Sequence, residues 1–465
     1  MRRVLLCLFI ATSTLMAGCL GGGEGIVSDE RVAPIFDDYV MIDEAAHGDA
    51  REFITIDLRT NETTNTTWAV FNKDYGGNCC EHYIATTIEG DIMNIGGEYP
   101  VYTEDRGHQW TTYTPGIIPD TQCRTFVPTN SGQEGLGEGS IVQATNGDII
   151  SMSWFPYIGA DGKIDKFYAI LYDDSEEEWS WCYNRITEPF YDRSWQVEVV
   201  GPISSSLGSG DWASIVVSNF WHQTQNAGGQ ISVDGLNYYP FQFPNRGGGD
   251  PTIELDLNFT EAGLPAYYDV NKPHKEMRSF PFPSGGLLFP SYYDNGNAAY
   301  MDTTLSWNEL EVQFPSEYCQ IDSTGSIHCM KNTGTDFTHF ISYDGANSWQ
   351  NYTYQMGNVS TSIEEWEFQA NGELDLFVLN IRYQSSEGPD VDMVYHVRGY
   401  SEDMSPDTLT YIGAGDLDST SGAGNDIRFD FASLAILSDG GVVVAFHDST
   451  DVDPLFAVEL ELPQY

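Results

Sequence analysis

Asn146-Gly147-Asp148-Ile149-Ile150 places a polar residue and a glycine ahead of an apolar β-branched run, the pattern of a tight turn that opens a strand. The unit returns as Glu89-Gly90-Asp91-Ile92-Met93, Ser284-Gly285-Gly286-Leu287-Leu288, Thr324-Gly325-Ser326-Ile327, Asn371-Gly372-Glu373-Leu374 and Asp439-Gly440-Gly441-Val442-Val443. Most copies stand 40 to 68 residues apart, the length of four strands with their loops. One longer gap, from Gly147 to Gly285, has room for a further unit around Gly228-Gly229-Gln230-Ile231. Helical periodicity is almost absent beyond about residue 50. The expectation is therefore an all-β chain, a six- or seven-bladed β-propeller of four-stranded antiparallel blades, whose closure protects edges that an open sheet would expose. A pair of β-sandwiches explains the repeat less well.

A second mark accompanies the repeat. Thr103-Glu104-Asp105-Arg106-Gly107-His108-Gln109-Trp110 follows the pattern Ser/Thr-x-Asp-x-Gly-x-x-Trp and resembles the Asp box of sialidase-type propellers. The resemblance implies structural roles for Thr103, Asp105, Gly107 and Trp110: the carboxylate accepts backbone N–H groups across a turn, glycine supplies positive φ, and the indole packs between blades. Ser342-Tyr343-Asp344-Gly345-Ala346-Asn347-Ser348-Trp349 is a degenerate copy with its glycine one place early, and Ser401-Glu402-Asp403 is a fragment of another.

The order of parts after Ser342 is also similar to that of sialidases. Glu364-Glu365-Trp366 is followed by Asn371-Gly372 and then Leu379-Asn380-Ile381-Arg382. The likeness implies that Arg382 grips a substrate carboxylate bidentately, with Glu364 as the acidic partner and Arg398, Arg124 or Arg428 as another of the family's three arginines. In the closing blade, Phe431-Ala432-Ser433-Leu434 resembles the strand that carries the family's nucleophilic tyrosine, and the nucleophile position reads Phe431. Phenylalanine has no oxygen with which to attack an anomeric carbon, so the covalent tyrosine route is closed to this sequence. The family's early Arg-Ile-Pro signature is missing as well. The expected role is therefore binding of a glycan or protein ligand, with an altered sialidase-like glycoside hydrolase as the alternative.

The N-terminus sets the compartment. Met1-Arg2-Arg3, an apolar run from Val4 to Leu15 and Met16-Ala17-Gly18-Cys19 read as charged region, hydrophobic core and cleavage site. The last four residues resemble the prokaryotic lipobox. That implies a signal peptide over residues 1–18, lipid on Cys19, a flexible linker to residue 50 and a propeller over 51–465. The mature chain would then sit on the outer face of the cell membrane, partnered with the bilayer through its N-terminal lipid.

Twenty Lys and Arg stand against 69 Asp and Glu, a formal charge of −49. Such a surface repels phosphate backbones, which excludes nucleic acid as a partner and suits a saline medium that screens self-repulsion. In an oxidising compartment six cysteines remain for disulfides. Cys319 and Cys329 flank the turn Asp322-Ser323-Thr324-Gly325, which would set them nearly opposite on paired strands. The pairing of Cys79, Cys80, Cys123 and Cys182 stays open. Tyr191, Asp192, Arg193 and Trp195 place charge among aromatics, as a sugar-binding loop does. No cofactor is expected. Asp161-Gly162-Lys163-Ile164-Asp165 and Asp448-Ser449-Thr450-Asp451-Val452-Asp453 have Ca²⁺-loop-like spacing without a complete loop pattern.

Overall fold

The computed structural model describes residues 49–57, 60, 62–72, 83–86, 92–95, 101–103, 111–112, 139–154, 164–190, 194–218, 228–258, 279–322, 325–332, 336–355, 360–370, 375–384, 391–398, 408–414, 433–436, 442–447 and 454–459. Among these the chain is all-β, with no helix. β1 (Asp49–Asp57) and β2 (Thr63–Asn72) form an N-terminal hairpin. A first four-stranded meander follows: β3 (Tyr83–Thr86), β4 (Ile92–Ile95), β5 (Val101–Thr103) and β6 (Thr111–Thr112). The second comprises β7 (Gly139–Gln143), β8 (Ile149–Trp154), β9 (Ile164–Asp173) and β10 (Glu178–Phe190), the third β11 (Ser194–Ser205), β12 (Gly208–Ser218), β13 (Gly228–Ser232) and β14 (Tyr239–Gln242).

The next sheet has five strands: β15 (Thr252–Ile253), β16 (Phe280–Pro281), β17 (Leu287–Phe289), β18 (Asn297–Met301) and β19 (Trp307–Gln313), with β15 parallel to β19 at the outer edge. A fourth separate meander holds β20 (Tyr318–Ile321), β21 (Ile327–Asn332), β22 (Asp336–Ser342) and β23 (Gln350–Gln355). The remaining strands are β24 (Ser360–Ala370), β25 (Asp375–Gln384), β26 (Val391–Arg398), β27 (Thr408–Ala414), β28 (Ser433–Ile436), β29 (Val442–His447) and β30 (Pro454–Glu459). They join the N-terminal hairpin in one nine-stranded sheet, ordered β24-β25-β26-β27-β1-β2-β30-β29-β28.

First strands of successive sheets touch, β3 against β7, β7 against β11, β11 against β16, β16 against β20, and β28 against both β24 and β3. This is a β-propeller arrangement. The expected count needs correction: four sheets have the separate four-stranded form, not six or seven. The others depart from it because residues 252–253 add an edge strand and the N-terminal hairpin fuses the last seven strands into a single sheet.

The repeat that opened the sequence is the turn between the first and second strands of a sheet. At residues 144–148, 282–286 and 322–326 the turn closes with the same two backbone bonds. The glycine N–H donates to the residue three before it (2.9, 2.8 and 3.0 Å), and that residue's N–H donates across to the residue after the glycine (2.7, 3.1 and 3.0 Å). Gly147, Gly285 and Gly325 take φ of 100°, 109° and 92°, the left-handed position of a three-residue hairpin loop. The longer gap does hold a further four-stranded meander, with Gly228 to Ile231 in its strand β13, but its first-hairpin turn is the two-residue Ser206-Leu207 between β11 and β12.

Because a blade packs on both faces, its strands bury polar residues along with apolar ones. On β11, Val197 and Val199 join a core with Leu287, Phe289 and Met301 of the next sheet, while the alternate residues Gln196 and Glu198 are equally buried.

Candidate functional site

Antiparallel meanders sort their connections by end. The turns between strands one and two and between three and four share one end of each sheet; the two–three loops and the links to the next sheet share the other. At the first end the turns are short and capped by carboxylates. Asp173 Oδ1 accepts from Glu176 N (3.1 Å), Asp234 Oδ1 from Leu236 N and Asn237 N (3.0 and 2.7 Å), Asp302 Oδ1 from Thr304 N and Ser306 N (2.8 and 3.1 Å), and Asp344 Oδ1 from Ser348 N (2.9 Å). These hydrogen bonds, with Ser348 foremost, hold the Asp344 carboxyl below its ordinary pKa. Neighbouring sheets interlock here: Ser204 N donates to Thr303 O (2.9 Å), and Trp212 Nε1 donates to Asp148 Oδ2 (2.9 Å).

The opposite end carries the two–three connections and the links between sheets, of which residues 243–258 and 290–296 are described. Its described part is built on the loop between β17 and β18. Tyr292 Oη donates to Pro244 O (2.8 Å), Tyr293 Oη to Asp250 Oδ2 (2.9 Å) and Asp294 N to Arg246 O (2.9 Å). The Arg246 guanidinium lies 5.5 Å above the Tyr292 ring. An exposed arginine is thus held over an aromatic scaffold at the loop end.

The sequence-expected site residues divide between the two ends. Arg382 pairs with Ser362 and Asp392 close to the loop end of β25, and Glu364 occupies the register shift between Ile363 and Glu365 on the adjacent strand. Arg398 pairs with Leu376, six residues along β25 from Arg382, which is about 20 Å of strand. Glu364 and Arg382 therefore share the loop end of one sheet, whereas Arg398 stands at the turn end and cannot join them on one carboxylate. Trp195 is the second residue of β11, also at a loop end. Tyr191, Asp192, Arg193 and Phe431 lie outside the described residues, as do Arg124, Arg428, Cys19, Asp105, Gly107, Trp110, the segment from Asp448 to Asp453, and Asp161, Gly162 and Lys163 of the other Ca²⁺-loop-like segment, whose Ile164 and Asp165 open β9. Thr103 is buried at the close of β5, where an Asp box would begin.

The second Asp box falls between β22 and β23. Ser342 Oγ donates to Asp344 Oδ1 (3.0 Å) and accepts from Ala346 N (2.8 Å), and Trp349 meets Phe314 of the adjacent sheet edge to face at 6.0 Å. Sequence reasoning missed a sibling: Ser232-Val233-Asp234-Gly235 makes the same serine-to-aspartate bond (2.9 Å) between β13 and β14. The signal was visible, because Ser-x-Asp-Gly is common to both copies, but a tyrosine replaces the tryptophan. Cys319 and Cys329 sit directly opposite each other on β20 and β21 and form the expected disulfide. Cys182 is buried and disulfide-bonded too.

Two buried titratable groupings were not foreseen. Glu198 is fully buried between sheets; its Oε1 accepts from Thr145 N (3.1 Å) and Thr145 Oγ1 (2.9 Å), and Oε2 has no partner. Burial pushes its pKa up to about 8. In the sheet of β20–β23, Asp322 Oδ2 lies 2.8 Å from His328 Nε2, and His328 Nδ1 lies 3.0 Å from His339 Nε2. Burial and then the neighbouring His328 hold His339 well below its ordinary pKa, so it is neutral. This relay of contacts starts at Asp322 in a turn-end loop and runs inward through His328 to His339. Among the described residues no group of three or more His, Cys, Asp and Glu side chains is placed to hold a metal.

No family model and no curated protein matches the chain. Several solved structures do. A structure of NanB with Optactamide is 14% identical over 92% of this chain and 70% of its own, with a TM-score of 0.32. The α-L-arabinanase of Penicillium chrysogenum with arabinobiose is 10% identical over 78% and 98%, at 0.33. An ulvan lyase, a polysaccharide lyase, is 12% identical over 83% and 96%, at 0.36.

Proposed function

We propose that this chain is a β-propeller tethered outside the cell by lipid on Cys19, whose loop end binds a glycan or protein ligand. The observation that carries the binding reading is the division between ends: carboxylate-capped turns finish one, while Glu364, Arg382 and Trp195 stand near strand ends on the other. Arg382 supplies the fork for an acidic group, and the aromatic residues supply apolar sugar faces.

The alternative, an exo-sialidase-like hydrolase with altered catalytic residues, has one point in its favour, the shared end of Glu364 and Arg382. A clamp alone gives binding, and hydrolysis also needs a nucleophile and an acid flanking the bond. The test is incubation with an activated sialoside. The binding reading expects no turnover by the unmodified protein, with activity gained at most in Phe431→Tyr. Turnover by the unmodified protein that disappears in Arg382→Ala would overturn it.

A further inference from the structure

Among the described residues the outer strands β6, β10, β14 and β23 each end their sheets. The outer edges of β27 and β30 are different. β1 pairs with β27 through Thr55↔Thr410, Ile56↔Leu409 and Asp57↔Thr408, and β2 pairs with β30 from Trp68↔Glu459 to Asn72↔Leu455. The hairpin's own ladder, Asp49↔Val70 to Ile56↔Thr63, completes the weld. A segment whose pairing partners lie about 350 to 390 residues later in the sequence thus makes one continuous sheet of two strand groups that would otherwise meet at their inner strands, β24 and β28. The hairpin is no loose addition, for Trp68 on β2 is 0% exposed and among the largest fully buried side chains.

The geometry points to residues 49–72 acting as a clasp that fixes β24–β27 against β28–β30, and so positions the loop end that carries Glu364 and Arg382 without contributing a ligand group. Backbone pairing across both edges gives the clasp its hold. An edge strand left unpaired at β27 or β30 would expose donors and acceptors and let the two groups hinge about β24 and β28. Among the described residues the other sheets have no such strap and are joined by side-chain packing with scattered backbone bonds, such as Ser204 N to Thr303 O and the bridge between Val200 and Gly286. The inference rests on sheet order and register and stands whether or not the loop end binds sugar.

Thr55 is the residue to change, because it lies between Thr64 on β2 and Thr410 on β27. Proline there deletes an N–H from a central strand and opposes the ladder sterically. Hydrogen exchange of the full chain is then followed by mass spectrometry. Thr55→Pro should raise exchange at least tenfold in residues 360–384 and 442–459 while leaving 139–154 and 194–216 as before. An oxidised Thr55→Cys/Thr410→Cys pair should slow exchange in 360–384. Should Thr55→Pro fail to fold, Thr55→Gly is read in the same way. Faster exchange confined to residues 49–72 would overturn the clasp, as would an equal rise in every sheet or failure of both variants to fold.

Discussion

Glu198 shows what the packing of one blade on another imposes on a single side chain. It occupies an alternate position on β11, so it points into an interface rather than into water, and Thr145 supplies its only hydrogen bonds, both to one oxygen. Its folded pKa is raised from 4.5 to about 8, so the native state holds a proton that the unfolded chain releases in that window. The sign follows: stability contributed by this proton is full below about pH 4.5 and falls as the pH rises toward 8. Thermal melts of Glu198→Gln, which keeps an oxygen for Thr145, should lose that decline, and the variant should be the more stable protein at pH 8. Identical pH profiles would show that Glu198 is ionised in the fold. Asp344 and Trp349 illustrate the opposite case, residues whose role the sequence disclosed. Trp349→Ala should cost about 2 kcal/mol, below the figure for a core tryptophan because its ring is only partly buried. An unchanged melting temperature would count against its part in joining two sheets.

At the scale of elements, the turns were legible because their chemistry is local. Glycine after a polar residue announces a left-handed position, and Gly147, Gly285 and Gly325 adopt one. Leu305 fills the same position between β18 and β19 at φ 62°, a turn that no glycine announces. The turn that opens the third meander went unread because Ser206-Leu207 is not followed directly by the β-branched run that marks the others. Cys319 and Cys329 were legible for a similar reason, since a short hairpin dictates their register. The bridge closes only ten residues, so Cys319→Ala/Cys329→Ala should cost about 2 to 3 kcal/mol in denaturant unfolding. What stayed hidden was pairing set by distant chain: the β15 edge and the fusion through β1 and β2 leave no local signature. The same limit separated Arg398 from Arg382, whose positions along the strands only the register reveals.

For the whole molecule, a formal charge of −49 means self-repulsion that salt relieves, so the melting temperature should rise between 0.1 and 2 M NaCl as the Debye length shrinks from about 10 Å to under 3 Å. A midpoint independent of salt would show that the acidic surface carries no such strain. Anchoring is a separate matter. Cys19→Ala expressed in the native host should release the protein or leave its precursor uncleaved, and unchanged membrane retention would dismiss the lipid anchor. The central claim is that the loop end binds and the turn end does not, and the two arginines of one sheet test it with a single measurement. Titration calorimetry of a sialylated oligosaccharide into the full chain should show binding that weakens at least tenfold in Arg382→Ala and stays within twofold in Arg398→Ala. Equal losses in the two variants, or binding that survives Arg382→Ala untouched, would contradict the account.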